Sequence, residues 1–322
     1  MSAPLTSVAR GSAAEVFRVF LGLGLTSFGG PVAHLGYFRQ AFVVQRKWIS
    51  EQAYADLVAL CQFLPGPASS QVGMAIGLRR AGHLGMLAAW AAFTLPSAVL
   101  LVAFAYGTSA FATDHGSGWV QGLKAAAVAV VVHAVLGMAR TLAPDRERGT
   151  IAVAGMVLAM LVPNAIGQLG AILMGALTGL VWLRAPEPGN GVHEDFDVSV
   201  GRRSAVAFLL FFLILLIALP ALAAATGHQS LQMADSFYRA GSLVFGGGHV
   251  VLPLLQAEMV ETGLVSREAF LAGYGAAQAV PGPLFTFAAY LGAVHAPWPH
   301  GIVGASIALI AIFTPSALLL LG

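Results

Sequence analysis

Charge is scarce in this sequence: only 9% of its 322 residues are Asp, Glu, Lys or Arg, against about a quarter in a soluble globular domain. Cysteine is nearly absent. Cys61 stands alone, which excludes an internal disulfide and a cysteine-based metal site. No phosphate-cradling Walker loop occurs, so an ATP-driven pump is excluded. The apolar runs hold no acid–base pair and no His/Glu pair at ligand spacing. An intramembrane enzyme, a metal and a cofactor are therefore not expected. The runs are also long and do not alternate with polar residues, which argues against an outer-membrane barrel. The formal net charge of +2 leaves no basic face for nucleic acid. The first 18 residues are too polar for a cleavable signal peptide.

What is present is apolar: 58% of the residues are hydrophobic and the mean hydropathy is +0.81. The class is an all-α polytopic membrane protein. Residues 84–107, 119–139, 204–222 and 302–321 are each long enough to span, since a span needs about 20 apolar residues. Residues 151–183 read as a hairpin interrupted at Pro163-Asn164. The other apolar pieces, 15–27, 32–44, 54–64 and 68–78, each reach only about 17 to 20 Å at the helical rise. They are cut by "FGGP" and by "PGP". Neither piece of a pair crosses a bilayer alone, so each pair is predicted to be a broken or re-entrant helix.

The second half repeats the first. "SFGGPVAH" at 27–34 answers "VFGGGHVV" at 244–251, and "WISEQAY" at 48–54 answers "LVSREAF" at 264–270. "QFLPGPASSQ" at 62–71 answers "QAVPGPLFTF" at 278–287, and "FTLPSAVLL" at 93–101 answers "IFTPSALLL" at 312–320. Phe28 and Pro65 are 37 positions apart, Phe245 and Pro281 are 36. Four blocks in one order at near-equal spacing mark a duplication. The expected organisation is a first repeat at 1–184, a polar cytosolic linker at 185–202, and a second repeat at 203–322.

Charge orients the copies. Residues 1–184 carry twelve Lys and Arg against six acids, and residues 203–322 carry three against four. Basic residues favour cytoplasmic loops. Arg10, Arg18, Arg46, Lys47, Arg79 and Arg80 flank the short helices of the first copy, whereas Glu258, Glu261 and Glu268 flank those of the second. The second repeat is thus expected to be inverted, with the N-terminus in the cytosol and a site at the repeat interface.

In hydrocarbon, freed backbone groups are tolerated only where they line a cavity. A helix N-terminus presents N–H groups and about half a positive charge, and so binds anions. The candidate binding residues of the first copy are Gly29, Gly30, Gln62, Pro65, Gly66, Pro67, Ser69, Ser70 and Gln71. Those of the second are Gly246, Gly247, Gly248, Gln278, Pro281, Gly282, Pro283 and Thr286. Arg39 and Arg239 lie within short apolar helices. Each either forks onto an oxyanion or reaches to the membrane surface. His34 and His249 flank the FGG breaks as oxyanion donors, proton carriers or packing residues. Gln62 and Gln278 either hold freed backbone or touch substrate. Lys124 reads as an interfacial anchor, and Gly175 with Gly179 as a helix-packing pair.

The stretches "FGGPVAHLGYFR", "QFLPGPASSQVG", "FGGGHVVLPLL" and "GYGAAQAVPGPLFTFAAYLGA" resemble the chromate ion transporter family, in its long, two-domain bacterial form. The likeness runs from about residue 14 to the end. It implies a secondary transporter in the bacterial inner membrane that exports chromate and confers chromate resistance. Transport of sulfate or another oxyanion, and a passive anion channel, stay open as alternatives. So does the driving force, membrane potential or proton antiport. The partners implied are chromate, with sulfate as a competitor, and the lipid bilayer; a homodimer is left open. The long form continues past a second TPS block, so the second repeat is expected to be incomplete at its C-terminus.

The charge bias makes a topological prediction. Single cysteines placed beside Arg46, Arg79, Glu261 and His295 in a Cys61→Ser background are expected to label from the cytosol at the first two sites and from outside at the last two. Labelling of all four from one side overturns the inversion.

Overall fold

A computed structural model of the chain describes residues 11–110, 122, 132, 136, 139–140, 143–162, 165–183, 200–244 and 250–322. Among the described residues there are twelve α-helices and no strand. Most of the expected span at 119–139, Lys124, the Pro163-Asn164 break and most of the linker lie outside them. The chain divides into two units, residues 125–192 and the remainder.

Within the larger unit, the helices start where the sequence caps them. Helix α1 (Ala13–Thr26) begins at Ser12, whose Oγ accepts from the Glu15 amide at 3.1 Å. Helix α2 (Gly30–Phe38) follows the FGG break and runs into a π-helical segment, Arg39–Gln45. Helix α3 (Glu51–Phe63) is capped by Ser50, which accepts from Ala53 N. Helix α4 occupies Ala68–Ala110 but is not one rod. Ala81 and Gly82 leave helical geometry, and the chain folds back so that a methyl on Gly77 or Gly85 strikes the other's carbonyl. Residues eight apart on a straight helix are about 12 Å apart. The stretch that spans is therefore the long second arm of α4, as expected for 84–107.

In the smaller unit, α5 (Arg146–Leu161) is capped by Asp145, which accepts from Arg148 N at 2.8 Å. It packs against α6 (Ala165–Trp182), the hairpin expected over 151–183. Back in the larger unit, α7 (Arg202–Thr226) leaves its apolar side chains outward along most of its length, as a lipid-facing helix does. Then come α8 (Gln229–Leu243), α9 (Val251–Met259) and α10 (Arg267–Ala279), capped by Ser266 accepting from Ala269 N. A 3₁₀ turn (Leu284–Thr286) leads into α11 (Phe287–Val294), and α12 occupies Gly301–Leu321.

The breaks make hairpins whose outer ends gather. In the first half, Gly11 N donates to Arg80 O at 3.0 Å, and Arg80 pairs with Glu15 at 3.1 Å and lies over the Trp48 ring. This draws together the start of α1, the exit from the π segment and the turn of α4. In the second half, Ala296 N donates to Leu264 O, tying the turn before α12 to the entry of α10. Packing repeats as well. A methyl on Gly24 strikes the backbone at Ala92 and Phe93, and one on Gly241 strikes Ile312. These are matching positions of the two copies. Both glycines let a short helix lie directly on the long one behind it.

The long arm of α4 and α12 run antiparallel. Trp90 packs edge-on to Phe313, with ring centroids 5.9 Å apart. Met86 shares a cluster with Leu321, and Tyr106 abuts Gly301. The turn at Ala81–Gly82 and the turn before Gly301 therefore stand at opposite ends of this helix pair.

Gly24→Ala and Gly241→Ala are each expected to cost about 1–3 kcal/mol by overpacking. Gly22→Ala, which meets open space, is expected to leave stability unchanged or slightly raised. Thermal unfolding of the detergent-purified protein measures all three. Equal midpoints for the three variants sink the close-packing account.

Candidate functional site

The two PGP loops meet the two FGG breaks by exchanging backbone hydrogen bonds. Gly66 adopts φ +119° and Gly282 φ +106°, in the region that favours glycine. In that conformation Gly66 N donates to Val244 O at 2.6 Å, and Gly282 N donates to Ser27 O at 2.9 Å. Each acceptor is the residue just before the other copy's FGG. Each PGP glycine also sits on the other copy's TPS serine. A methyl on Gly66 collides with Ser316 Oγ, and one on Gly282 meets Ser97 Cβ at 2.9 Å.

Side chains close the loops. Gln71 Nε2 donates to Pro65 O at 2.8 Å, and Gln278 Nε2 donates to the Tyr274 hydroxyl at 2.8 Å. Thr286 Oγ1 donates to Pro283 O at 2.7 Å and lies 2.5 Å from Ser97 Oγ. His34 is fully buried, with Nδ1 3.5 Å from Ser69 Oγ and its ring edge-on to Phe93. Because Phe93 O lies against Gly282, His34 spans from one loop toward the other. Pro67, Ser70, Pro281 and Pro283 are buried with these groups, and Pro65 is half-buried.

Around the loops, buried polar atoms lack partners. Ser27 Oγ, His34 Nε2, Ser70 Oγ, Gln71 Oε1, Thr94 Oγ1 and Ser316 Oγ have no hydrogen-bond partner among the described residues. Buried polar atoms in folded proteins are nearly always paired, and each unpaired one is destabilising. A concentration of them at one place is a mark of a ligand seat.

The remaining expected residues are placed elsewhere. Gln62 is exposed at the end of α3, and Gly29 and Gly30 shape the entry to α2 with φ +97° and +77°. Arg39 is half exposed and donates to Glu51 at 2.6 Å. That bond holds the Glu51 carboxyl below its usual range. Arg239 is gripped by Asp235 at 3.0 Å and Glu258 at 3.1 Å, and Ser236 Oγ also donates to Glu258. Neither guanidinium joins the PGP loops; each is neutralised by carboxylates. Gly246, Gly247, Gly248 and His249 lie outside the described residues. Sequence reasoning passed over Ser27, Thr94, Ser97 and Ser316. The signal available for three of them was the Pro-Ser pair with a threonine just before it, Thr94-Leu95-Pro96-Ser97 in one copy and Thr314-Pro315-Ser316 in the other.

Comparison with known proteins identifies the family of the chain. A family model described as chromate transporter matches residues 14–180 and 231–322. The chain is 29% identical over 312 residues to a probable chromate transport protein of Synechococcus elongatus, covering 95% of this chain and 74% of that one. It is 29% identical over 315 residues to a chromate transport protein of Pseudomonas aeruginosa, covering 94% and 70%. An uncharacterized transporter of Methanocaldococcus jannaschii is 27% identical over 324 residues, covering 96% and 75%. No solved structure matches the chain.

The two arginines are expected to behave differently. Arg239→Ala leaves Asp235 and Glu258 facing each other, which is expected to destabilise by about 2 kcal/mol, the modest end because the triad is partly exposed. Arg39→Ala breaks only an exposed pair and is expected to change stability by less than about 1 kcal/mol. Thermal unfolding in detergent decides it, and a larger loss from Arg39→Ala refutes the assignment.

Proposed function

This chain belongs to the chromate transporter family, and from that membership we propose that it is a secondary transporter, not an enzyme, that exports chromate from the cytoplasm and so confers chromate resistance. The observation that carries the reading is the set of unpartnered buried polar atoms on the residues in and around the two PGP loops. Five of them are hydroxyls or an imidazole nitrogen, groups that can donate to a tetrahedral oxyanion.

The loops and the TPS helices behind them are the moving parts of this proposal. The repeats, 1–184 and 203–322, are joined by a cytosolic linker, and the second is inverted in the inner membrane with the N-terminus cytoplasmic. Inversion is supported by the antiparallel run of α4 against α12 and by their turns at opposite ends. A site between inverted copies is reached from either side by rocking one copy against the other. The inside-negative potential favours outward movement of a dianion by about 2.3 kcal/mol per charge per 100 mV.

Uptake of labelled chromate into inside-out vesicles reads the export direction. It is expected to saturate, to rise when the vesicle lumen is made positive, and to be inhibited by excess sulfate but not by nitrate. Gly66→Ala and Gly282→Ala, present in the membrane at wild-type level, are expected to lower it about tenfold or more, because each methyl is forced onto a TPS serine. Uptake that rises linearly with chromate points instead to a channel. Inhibition by nitrate and not by sulfate removes the dianion site.

A further inference from the structure

The two copies place the same pair of residues differently. Aligned on PGP, Thr286 corresponds to Ser70; aligned on TPS, Ser97 corresponds to Ser316. In one half-site Thr286 and Ser97 are joined at 2.5 Å and Thr286 also donates to Pro283 O, so its polar groups satisfy one another. In the other, Ser70 and Ser316 are 3% and 0% exposed, and neither hydroxyl has a partner. Ser316 Oγ nonetheless lies against Gly66, beside Gln71 Nε2. Ser70 sits in the first turn of α4, which opens just past Pro67.

We infer that Ser70 and Ser316 form the oxyanion seat, with the first turn of α4 behind it, and that the Thr286–Ser97 pair is its closed counterpart. The inference rests on the transporter reading above and names the residues that hold the substrate.

Three features fit a fully deprotonated tetrahedral dianion. Both hydroxyls are donors with no competing acceptor. Both lie where α4 presents unsatisfied N–H groups and the positive end of its dipole. Gln71, whose amide nitrogen is tied to Pro65 O, braces the PGP loop beside Ser316. The seat draws no charge from Arg39 or Arg239, which are engaged elsewhere. It therefore binds through hydroxyl and backbone donors. Such a seat accepts an ion that offers only acceptor oxygens and that can be released again without breaking an ion pair.

The test measures binding apart from transport. The thermal midpoint of the detergent-purified full chain is followed against sulfate and molybdate, non-oxidising tetrahedral dianions, with nitrate as control. A ligand that binds only the folded state raises the midpoint with concentration. Wild type is expected to be stabilised by both dianions and not by nitrate. Ser316→Ala and Ser70→Ala are each expected to raise the concentration needed about tenfold, as for loss of one hydrogen bond to a charged group. Thr314→Ala, two residues from Ser316 and bonded to its own helix at Ile310 O, is expected to bind as wild type does. Ser70→Ala tests the seat independently if Ser316→Ala does not fold.

If the dianions stabilise wild type and both serine variants equally, the seat is overturned while the transporter reading stands. If the variants are more stable yet bind unchanged, the hydroxyls only held a structural water and the seat is likewise overturned. If no dianion stabilises wild type, the substrate reading fails first and the seat with it.

Discussion

Everything in the larger unit depends on one constraint, that a peptide N–H released in hydrocarbon must find an acceptor. Each PGP loop stops a helix, and the glycine between its prolines is left with an amide that no helix can use. The chain meets this by lending that amide to the other copy: Gly66 to Val244 and Gly282 to Ser27. The acceptors are free because each closes a helix, α8 and α1, just before an FGG break. Two defects in each half thus satisfy those of the other. Neither half is complete as a folded object without its partner, which is why the breaks recur together and in the same order along the chain.

The same exchange sets the electrostatics. Arg39 opens the π-helical segment and Arg239 lies in the polar helix α8, and both are compensated by acids: Glu51 for one, Asp235 and Glu258 for the other. Among the described residues, what remains at the loops is a set of hydroxyls, one imidazole and helix starts. The α4 N-terminus behind Ser70 and Ser316 supplies about half a positive charge, less than a dianion carries. A site balanced in this way holds its ion loosely, as transport in both binding and release requires.

Much of the architecture was legible because prolines and glycines cannot be placed by chance in apolar sequence. The paired short helices, the hairpin over 151–183, the turn beyond Leu78 and the helix starts at Ala68 and Leu284 all follow from where those residues stand and where Ser50 and Ser266 cap. Helix α8 was harder to see. Its "QSLQMADSFYRAGSL" is too polar for a hydropathy window, yet it is buried by Met233, Phe237 and Tyr238 on one side and bears the acid–arginine triad on another. Arg39 was read as free because Glu51 lies twelve residues away, beyond the spacing rules of one helix; for Arg239 the nearer partner, Asp235, stands four residues back on α8 and was passed over, while Glu258 lies nineteen away. The TPS serines were missed for a related reason. A proline in a helix draws attention to the kink, while the polar residue after it acquires meaning only when the other copy's glycine is laid upon it.

Duplication followed by divergence explains the inequality of the half-sites better than independent origin does. The framework contacts have stayed equal: Gly24 and Gly241 lie on matching stretches of the long helices, and Gly66 and Gly282 on matching serines. The groups that face inward have not. Where one copy has Ser70 the other has Thr286, whose hydroxyl reaches both Pro283 O and Ser97, and glutamine at 71 has phenylalanine as its counterpart at 287. Residues that hold the copies together are constrained by both copies at once, so a change in one strains the other. Residues that face the ligand are constrained only by what they bind. A single binding seat on a two-fold framework needs only one open half-site, so the hydroxyls of the other are at liberty to satisfy each other, as Thr286 and Ser97 do.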